Sequence, residues 1–300
     1  MNIVMEYGST DKEITQINWD FSFCGRNIDE RSCFALEFAK VHSQKCVEVC
    51  YDANTFMLNF DNSESCIADD VEDFLREKGL TKEISVLLEC TTLGVSEMLL
   101  LMQALKDIGV VRFDALYLEP KHYTHKPNFR ERHHFELSQS FDGFIGIPGH
   151  AMAFERGDRV IVLCGFESER VGSAFEELDM MGKDCKLVFG MPPFIIGWDK
   201  STYTNHIPVI DTNGISKEFY YVGASNPLAV YDKLSRAYIS LEDNQKLFIL
   251  PFGTKPMALG ACLFKVQNRA DNLAILYDHP VRKMGRTTEV SKWNLYRIIL

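Results

Sequence analysis

The chain has 300 residues, of which 46% are apolar, and this length allows one large domain or two of ordinary size. Its formal net charge of −10 argues against a nucleic-acid coat and against general duplex DNA binding, because polyanion binding needs clustered Lys and Arg side chains. We expect two similar halves.

The first seven residues lack the basic flank and the apolar core of a signal peptide. No later stretch approaches the roughly 18 consecutive apolar residues that a membrane span requires. The nine cysteines are scattered through apolar segments, which fits reduced core residues better than a disulfide framework, and no C-x-x-C pair indicates structural zinc. We therefore expect a soluble, cytoplasmic protein with no membrane partner, no metal and no cofactor.

The first β-α-β unit begins with an apolar stretch that ends at Cys24 and Gly25. A helix is predicted to begin near Asp29, and the apolar residues of 46–51 predict the strand that follows. Residues 69–79 predict a short amphipathic helix closed by a glycine, with acidic residues leading and basic residues trailing as the helix dipole prefers.

The second unit begins with the predicted strand 84–90, which turns through Thr91 and Thr92 into a helix over 95–108. The strand 113–118 follows and runs into a basic cluster. The residues after it hold little periodicity as far as residue 157, so they are either a connection between the halves or a functional loop.

The third unit combines the predicted strand 159–165, a helix over 168–181 and the strand 186–189. Residues 226–234 predict a further helix. The rest of 194–245 has no assignment from its pattern.

The fourth unit carries the turn that we consider most informative. The apolar run 247–250 predicts a buried strand, and the turn Gly253-Thr254-Lys255 then opens a helix at Pro256, where a missing N–H group costs nothing. Backbone N–H groups, the helix dipole, the Thr254 hydroxyl and the Lys255 ammonium would converge there on a carboxylate or phosphate. The alternative is an ordinary strand-to-helix turn with Lys255 in solvent.

The two halves of the sequence agree at several positions in the same order. The matches are Cys24-Gly25 with Cys164-Gly165, Glu30-Arg31 with Glu169-Arg170, Thr92 with Thr254, and Leu116-Tyr117-x-x-Pro120 with Leu276-Tyr277-x-x-Pro280. Shared order and spacing predict an internal duplication of a Rossmann-like α/β domain, with lobes over 1–150 and 151–300 and mainly parallel sheets. Ligands of such sheets bind at the carboxyl ends of the strands.

Further candidate ligand-binding residues lie just beyond the predicted strand ends. Arg31 and Arg170 could each clamp a phosphate or pair with a neighbouring acid at the start of a helix. Thr91 and Thr92 could present hydroxyls or simply cap the next helix. Arg282 belongs to the basic cluster that follows the last predicted strand.

The densest histidine group is His122, His125, His133 and His134. These residues are the candidates for acid–base catalysis, although a flexible basic loop explains them equally well. No carboxylate or cysteine stands at a spacing that supports a metal site, and no nucleophile elbow or His-Glu-x-x-His motif occurs. The catalytic residues, if any, are therefore not identified by the sequence.

The turn over 253–259, following an apolar strand and opening a helix, resembles the Gly-Thr-Lys-x-Met turn of CRISPR-associated Rossmann-fold (CARF) domains. The doubled arrangement is similar to their two-lobed relatives, the SAVED domains. Those families sense cyclic or linear oligonucleotide second messengers in antiviral defence and usually pass the signal to an effector. The resemblance implies that Thr254 and Lys255 contact ligand phosphate or ribose, and that Thr91 and Thr92 do so in the first half.

These observations lead to three hypotheses. The first is a nucleotide or oligonucleotide second-messenger binding protein of a bacterial antiviral defence or signalling system, with the anion bound at strand ends between the lobes and with a separate effector protein or a second copy as partner. The second is an enzyme that cleaves a nucleotide phosphodiester, as ring nucleases among the CARF proteins do. The third is a non-catalytic scaffold subunit of a defence complex.

Overall fold

The computed structural model describes residues 1–9, 18–124, 135, 137–141 and 143–300. The chain divides into two compact units, of which unit 1 comprises Met1–Thr124 with Lys283–Leu300 and unit 2 comprises His125–Arg282. This division differs from the expected lobes over 1–150 and 151–300, because unit 2 begins earlier and the last segment of the chain belongs to unit 1.

The helices and strands are numbered in chain order. The strands are β1 (Asn2–Gly8), β2 (Trp19–Cys24), β3 (Ser43–Asp52), β4 (Met57–Phe60), β5 (Glu64–Ile67), β6 (Val86–Glu89), β7 (Arg112–Tyr123), β8 (Ser138–Phe141), β9 (Arg159–Leu163), β10 (Cys185–Gly190), β11 (Tyr220–Val222), β12 (Leu247–Pro251), β13 (Leu273–Ile275), β14 (Pro280–Arg282) and β15 (Thr287–Ile299). The helices are α1 (Glu30–Val41), α2 (Val71–Glu77), α3 (Val95–Ile108), α4 (Glu169–Leu178), α5 (Trp198–Asn213), α6 (Pro227–Ile239) and α7 (Lys255–Gln267). The predicted α/β class is confirmed.

Unit 1 is built on an eight-stranded sheet with the order β1-β15-β7-β6-β2-β3-β4-β5. The central pairs β6–β7, β2–β6 and β2–β3 are parallel. The outer pairs β1–β15, β7–β15, β3–β4 and β4–β5 are antiparallel. The sheet of unit 1 is therefore mixed, and the expectation of mainly parallel strands fails here because hairpins and the returning strand β15 extend the parallel centre.

Helix α1 covers one face of the unit 1 sheet. It begins at the predicted place, because the side chain of Asp29 accepts a hydrogen bond from the Ser32 amide at 2.8 Å and so caps the helix. Ala35 and Ala39 face a buried cluster of strand residues that includes Trp19 and Trp293. These two alanines bring the helix close to the sheet, which fixes the position of the loop between β2 and α1.

Unit 2 is built on a five-stranded sheet with the order β11-β10-β9-β12-β13, in which every pair is parallel. Helix α7 is its central helix, and the residues from Pro256 to Val266 are all buried. At Gly260 an added Cβ would lie 2.4 Å from the Pro227 carbonyl oxygen, so the glycine allows α6 and α7 to touch. A separate two-stranded antiparallel sheet joins β8 to β14.

The parallel strands of the two units have equivalent orders. Unit 1 contains β7-β6-β2-β3, and unit 2 contains β13-β12-β9-β10. In each unit the strand that comes first in the chain, β2 or β9, leads through one helix to its neighbour on one side, β3 or β10. The chain later returns to add two strands on the other side. The insert before that return differs, with β4, β5 and α2 in unit 1 and with α5, β11 and α6 in unit 2.

None of the helices in the described ranges combines the length and the hydropathy that crossing a bilayer requires.

Candidate functional site

The candidate site of unit 2 is the carboxyl edge of its parallel sheet, where β9 and β12 end side by side. The loop after β9 leads to α4 and then to β10 on one side, and the loop after β12 leads to α7 and then to β13 on the other side. Chain connections therefore diverge between these two strands. Such a point of divergence is where open parallel sheets hold their ligands.

The two loops touch at Gly165. A Cβ added to this residue would lie 2.2 Å from the carbonyl oxygen of Phe252, and a Cβ added to Gly253 would lie 3.0 Å from the sulfur of Met257. Because a Cβ at Gly165 would clash with the Phe252 main chain, only glycine lets the backbone of the loop after β9 lie directly on the backbone of the loop after β12. Main chain therefore forms this part of the sheet edge, where the two loops meet.

Thr254 caps α7 with its side chain. Its hydroxyl oxygen accepts from the Met257 amide at 3.4 Å and donates to the Ala224 carbonyl oxygen, and its own carbonyl accepts from the Ala258 amide at 2.9 Å. Pro256 lies in the first turn of the helix, as the sequence predicts. The Thr254 hydroxyl, which the sequence predicts as a ligand contact, thus already makes hydrogen bonds within the protein. A ligand would have to displace one of them.

Lys255 is the first residue of α7 and is half-buried. Its ammonium adds a full positive charge to the partial positive charge of the helix N-terminus. Helix α7 is buried from Pro256 to Val266 and follows the buried strand β12. The charge of Lys255 is therefore held by a well-packed helix. Gly253, Thr254 and Lys255 therefore lie together at the sheet edge.

Aromatic side chains flank the same edge. Phe166 follows β9, Trp198 begins α5 after β10, and their ring centroids are 5.6 Å apart in an edge-to-face contact. Phe135 contacts both rings, at 4.6 Å and 5.9 Å. Phe166 and Trp198 are each only partly buried.

Arg170 does not face solvent. It lies in the first turn of α4, where its Nε donates to Asp278 Oδ2 at 2.7 Å and its Nη2 donates to Asp278 Oδ1 at 2.5 Å. The guanidinium lies 4.3 Å from the ring centroid of Phe252 and 5.5 Å from that of Tyr277. Although burial opposes the charged form, the Asp278 carboxylate raises the pKa of Arg170. The predicted phosphate clamp is occupied by a carboxylate of the same unit.

Two further charged residues lie against the segment that contains β8. Glu167 accepts from the Leu137 and Ser138 amides at 2.9 Å and 2.8 Å, and its second oxygen accepts from the Ser138 hydroxyl at 3.0 Å. Arg282 is half-buried at the end of β14, where it pairs in register with Ser138. Arg282 thus belongs to the β8–β14 strand pair and not to the loops that follow β9 and β12.

At the corresponding edge of unit 1, Glu89 accepts hydrogen bonds from the turn that follows β6. This carboxylate is fully buried and accepts from the Thr91 amide at 2.8 Å, from the Thr92 amide at 2.9 Å and from the Thr92 hydroxyl. The Thr92 hydroxyl oxygen accepts from the Gly25 amide at 2.7 Å, and the Thr91 hydroxyl oxygen accepts from the Leu118 amide at 3.0 Å. Both threonines are buried, so their hydroxyls connect β2, β6 and β7.

Arg31 is also buried, with 2% of its surface exposed. Its Nη1 donates to the Tyr117 hydroxyl at 3.2 Å and to the Leu118 carbonyl at 3.1 Å, and the guanidinium lies 5.6 Å from the Tyr117 ring centroid. Arg170 has the same relation to Tyr277, but Leu118 stands where unit 2 has Asp278. Arg31 therefore has a backbone oxygen in the place of a carboxylate.

The predicted histidine group falls mostly outside the described residues, which is where His125, His133 and His134 lie. His122 is exposed on β7, opposite Thr288 of β15. Among the described side chains, no group of three or more His, Cys, Asp and Glu residues has an arrangement that could hold a metal ion.

Sequence reasoning missed the two buried carboxylates that organise these edges. Glu89 ends β6 and Asp278 follows β13, so each is an acid directly after a run of apolar residues. That position was the available signal, because an acid at the end of a buried strand needs donors from the adjoining loop or helix. For Asp278 the donor is Arg170, and for Glu89 the donors are the Thr91 and Thr92 amides and the Thr92 hydroxyl.

Comparison of the sequence with protein-family models gives no match, and no curated protein matches it either.

Proposed function

We propose that the protein binds a nucleotide or oligonucleotide second messenger at the carboxyl edge of the unit 2 sheet, in a bacterial antiviral defence or signalling system. The turn around Lys255 carries this proposal. A helix of thirteen residues begins there with a lysine, at the point where the connections of a parallel sheet diverge. The resemblance of this turn to that of CARF domains supplies the ligand class.

The aromatic rings of Phe166 and Trp198 favour a nucleotide over a simple anion. Bases stack on aromatic side chains with about 1–3 kcal/mol each, while a helix N-terminus and a lysine bind the attached phosphate. Both kinds of group occur at the same edge of unit 2. The proposed roles are phosphate binding by Lys255 and by the amides near Gly253, and base stacking by the two rings.

We infer a supporting role for Arg170 and Thr254. The ion pair of Arg170 with Asp278 fixes the start of α4 against the end of β13, and the cap at Thr254 fixes the start of α7. In unit 1 the residue after Thr92 is the buried Leu93, where unit 2 has Lys255 after Thr254. Thr91, Thr92 and Arg31 accordingly have structural roles in this proposal, and unit 2 binds the ligand.

We also propose that the two units arose by internal duplication. The equivalent strand orders support this, and so do the two arginine–tyrosine pairs, whose distances are 5.6 Å for Arg31 over Tyr117 and 5.5 Å for Arg170 over Tyr277. Each arginine is the second residue of the helix that follows the first parallel strand of its unit.

The test is titration calorimetry with cyclic oligoadenylates, cyclic dinucleotides and linear oligoadenylates. Lys255→Ala should weaken binding of the active ligand by about 1.5–3 kcal/mol, roughly 10- to 150-fold, because a charge-assisted phosphate contact is lost. Lys183→Ala is the matched control, since this exposed lysine precedes β10 at the opposite edge of the same sheet. Its affinity should equal that of the wild type.

Equal affinities of Lys255→Ala and the wild type would refute the proposed site. Trp198 gives an independent readout because it is the tryptophan of unit 2, while Trp19 and Trp293 lie in unit 1. Ligand should quench its fluorescence, and the quench should disappear in Trp198→Phe. Chromatography of the ligand after incubation separates binding from turnover, and a cleaved product would favour the enzyme hypothesis.

A further inference from the structure

Two cysteines of unit 1 lie side by side on neighbouring strands. Cys24 is the last residue of β2 and Cys46 lies in β3, and their sulfur atoms are 3.6 Å apart. In the parallel register Cys46 is opposite Ser22, and Cys24 is opposite Glu48. The two thiols are therefore offset by two residues along the strands, and they are in contact across that offset.

The surroundings distinguish the two thiols. Cys24 is buried, and its thiol also lies 3.5 Å from the Val47 carbonyl oxygen. Cys46 is only partly buried, where it packs against the core cluster that includes Trp19, so a small reagent can reach it. The hydrogen bond between the two thiols lowers the pKa of Cys46 to about 7; partial burial opposes this shift, and the nearby Lys40 ammonium assists it. The same hydrogen bond and burial raise the pKa of Cys24.

We propose that Cys46 and Cys24 form a peroxide-oxidisable dithiol, with Cys46 as the attacking thiolate and Cys24 as the resolving thiol. The Cys46 sulfur attacks one oxygen of hydrogen peroxide, the O–O bond breaks, and a sulfenic acid and hydroxide result; the hydroxide takes up the proton that the thiol lost. Cys24 then attacks the sulfenic sulfur, and water leaves with the thiol proton. Two thiols and one peroxide thus give one disulfide and two waters.

The geometry makes this disulfide a strained one. Two residues of offset and one strand spacing place the Cα atoms about 8 Å apart in ideal parallel strands, beyond the range of about 4.4–6.8 Å in relaxed disulfides. The end of β2 must therefore move towards Cys46. Strained disulfides are reduced more easily, so the oxidation is reversible by thiols.

The movement reaches the carboxyl edge of unit 1. Gly25 directly follows Cys24, its amide donates to the Thr92 hydroxyl, and a Cβ at Gly25 would lie 2.3 Å from the Thr92 carbonyl oxygen. A shift of Cys24 moves Gly25 with it and so disturbs this close backbone contact. Oxidation therefore loosens the loop between β2 and α1 and the turn after β6. The inference concerns unit 1 and does not depend on the ligand proposed for unit 2.

The test is oxidation of the full reduced chain with hydrogen peroxide, followed by alkylation of the remaining thiols and peptide mass spectrometry. We expect a peptide pair linked through Cys24 and Cys46 that has lost two hydrogen atoms and that dithiothreitol separates. In Cys24→Ser the Cys46 sulfenic acid should persist and react with dimedone. Cys33→Ser is the matched control, because Cys33 is the exposed cysteine of α1, and its linked peptide should form as in the wild type.

The proposal is overturned if peroxide oxidises Cys33 while Cys24 and Cys46 remain open to alkylation, or if Cys24→Ser gives no dimedone adduct at Cys46. Mapping of the wild-type chain decides the question even where a variant folds poorly. Hydrogen exchange tests the structural consequence, since oxidation should speed exchange of the Gly25 and Leu93 amides. Unchanged exchange in a fully oxidised sample would refute the coupling to the sheet edge.

Discussion

The ion pairs of unit 2 differ greatly in their surroundings. The pair of Arg170 with Asp278 has side chains that are 7% and 3% exposed, whereas the pair of Arg156 with Asp179 has side chains that are 68% and 74% exposed. Removal of one partner from a buried pair leaves an uncompensated charge in the protein interior, whereas an exposed charge returns to water. The two pairs should therefore respond differently to the same substitution.

We expect Arg170→Met to lower the free energy of unfolding by about 3–5 kcal/mol, because the Asp278 carboxylate loses both donors. Arg156→Met should lower it by no more than about 1 kcal/mol. Urea denaturation followed by tryptophan fluorescence measures both. The double variant Arg170→Met with Asp278→Leu should recover part of the loss, and a double variant as unstable as the sum of its single variants would contradict the buried-charge explanation.

His150 should make the stability of the protein depend on pH. The side chain is buried, and burial, assisted by the nearby Lys265 ammonium, lowers its pKa from 6.5 to about 4. Between these values the unfolded chain binds a proton that the folded chain does not, so stability is present above pH 6.5 and is lost as the pH falls towards 4. The loss amounts to about 3 kcal/mol.

We expect His150→Leu to flatten the stability profile between pH 6.5 and pH 4 relative to the wild type, since the titrating group is gone. Urea denaturation at several pH values measures the difference between the two profiles. Parallel profiles would show that His150 does not carry the dependence. His206 remains in both proteins, and burial lowers its pKa as well, so a smaller decline of the same sign should persist in the variant.

At the scale of the elements, contact between the loops after β9 and β12 depends on a missing side chain. We expect Gly165→Ala to destabilise unit 2 by about 1–3 kcal/mol, because the new Cβ would lie 2.2 Å from the Phe252 carbonyl oxygen and the backbone must shift. Gly172→Ala should instead stabilise by about 0.5–1 kcal/mol. Gly172 lies inside α4, and its new Cβ would be 3.9 Å from the nearest atom outside that turn.

Thermal unfolding of the two alanine variants checks this prediction. Opposite shifts in the melting temperature are expected, with the lower value for Gly165→Ala. A shift of the same sign in both variants would show that main-chain contact between the two loops does not limit the stability of this edge. Ligand affinity measured alongside should fall for Gly165→Ala if the edge binds a nucleotide.

Elements with strong local signals are the ones that the sequence predicts. The helix over 95–108 matches α3 in full, and the Gly-Thr-Lys-Pro turn opens α7 as expected, because apolar periodicity and cap residues act within one turn of chain. Helix α5 was not predicted, because it is polar on average and contains Pro208. The partners of the site residues could not be predicted either, since Arg170 and Asp278 are separated by 108 positions in sequence.

At the scale of the whole molecule, the last strand belongs to the first unit. β15 lies between β1 and β7 and pairs with both, over seven and eleven register positions. The sequences of β1, β7 and β15 contain no local signal for this pairing, so the sequence predicts the lobes as consecutive halves. The parallel centres of the two units were predictable from alternating β and α elements, whereas this closing strand was not.

We expect deletion of residues 283–300 to unfold unit 1. The deletion removes the four buried hydrophobic side chains of β15, which are Trp293, Leu295, Tyr296 and Ile298. At about 1.5–3 kcal/mol each, their burial is comparable with the whole stability of about 5–15 kcal/mol that a domain has.

Hydrogen exchange measured by mass spectrometry checks the deletion. Amides of β2, β6 and β7 should lose protection, and amides of β9 and β12 should keep it, because the sheet of unit 2 contains no residue of the deleted segment. Equal loss of protection in both sheets would contradict the division into two units.

The position of β15 also sets an order of events during synthesis. All of unit 2 emerges from the ribosome between β7 and β15, as one continuous segment whose sheet is complete before β15 is made. β1 and β7 must wait for their shared neighbour, with unpaired edges exposed for as long as some 160 further residues take to be translated, on the order of ten to thirty seconds at ~5–20 residues per second. Unit 1 thus begins to be made first and has its sheet completed last. During that interval its unpaired strand edges are where chaperones would bind.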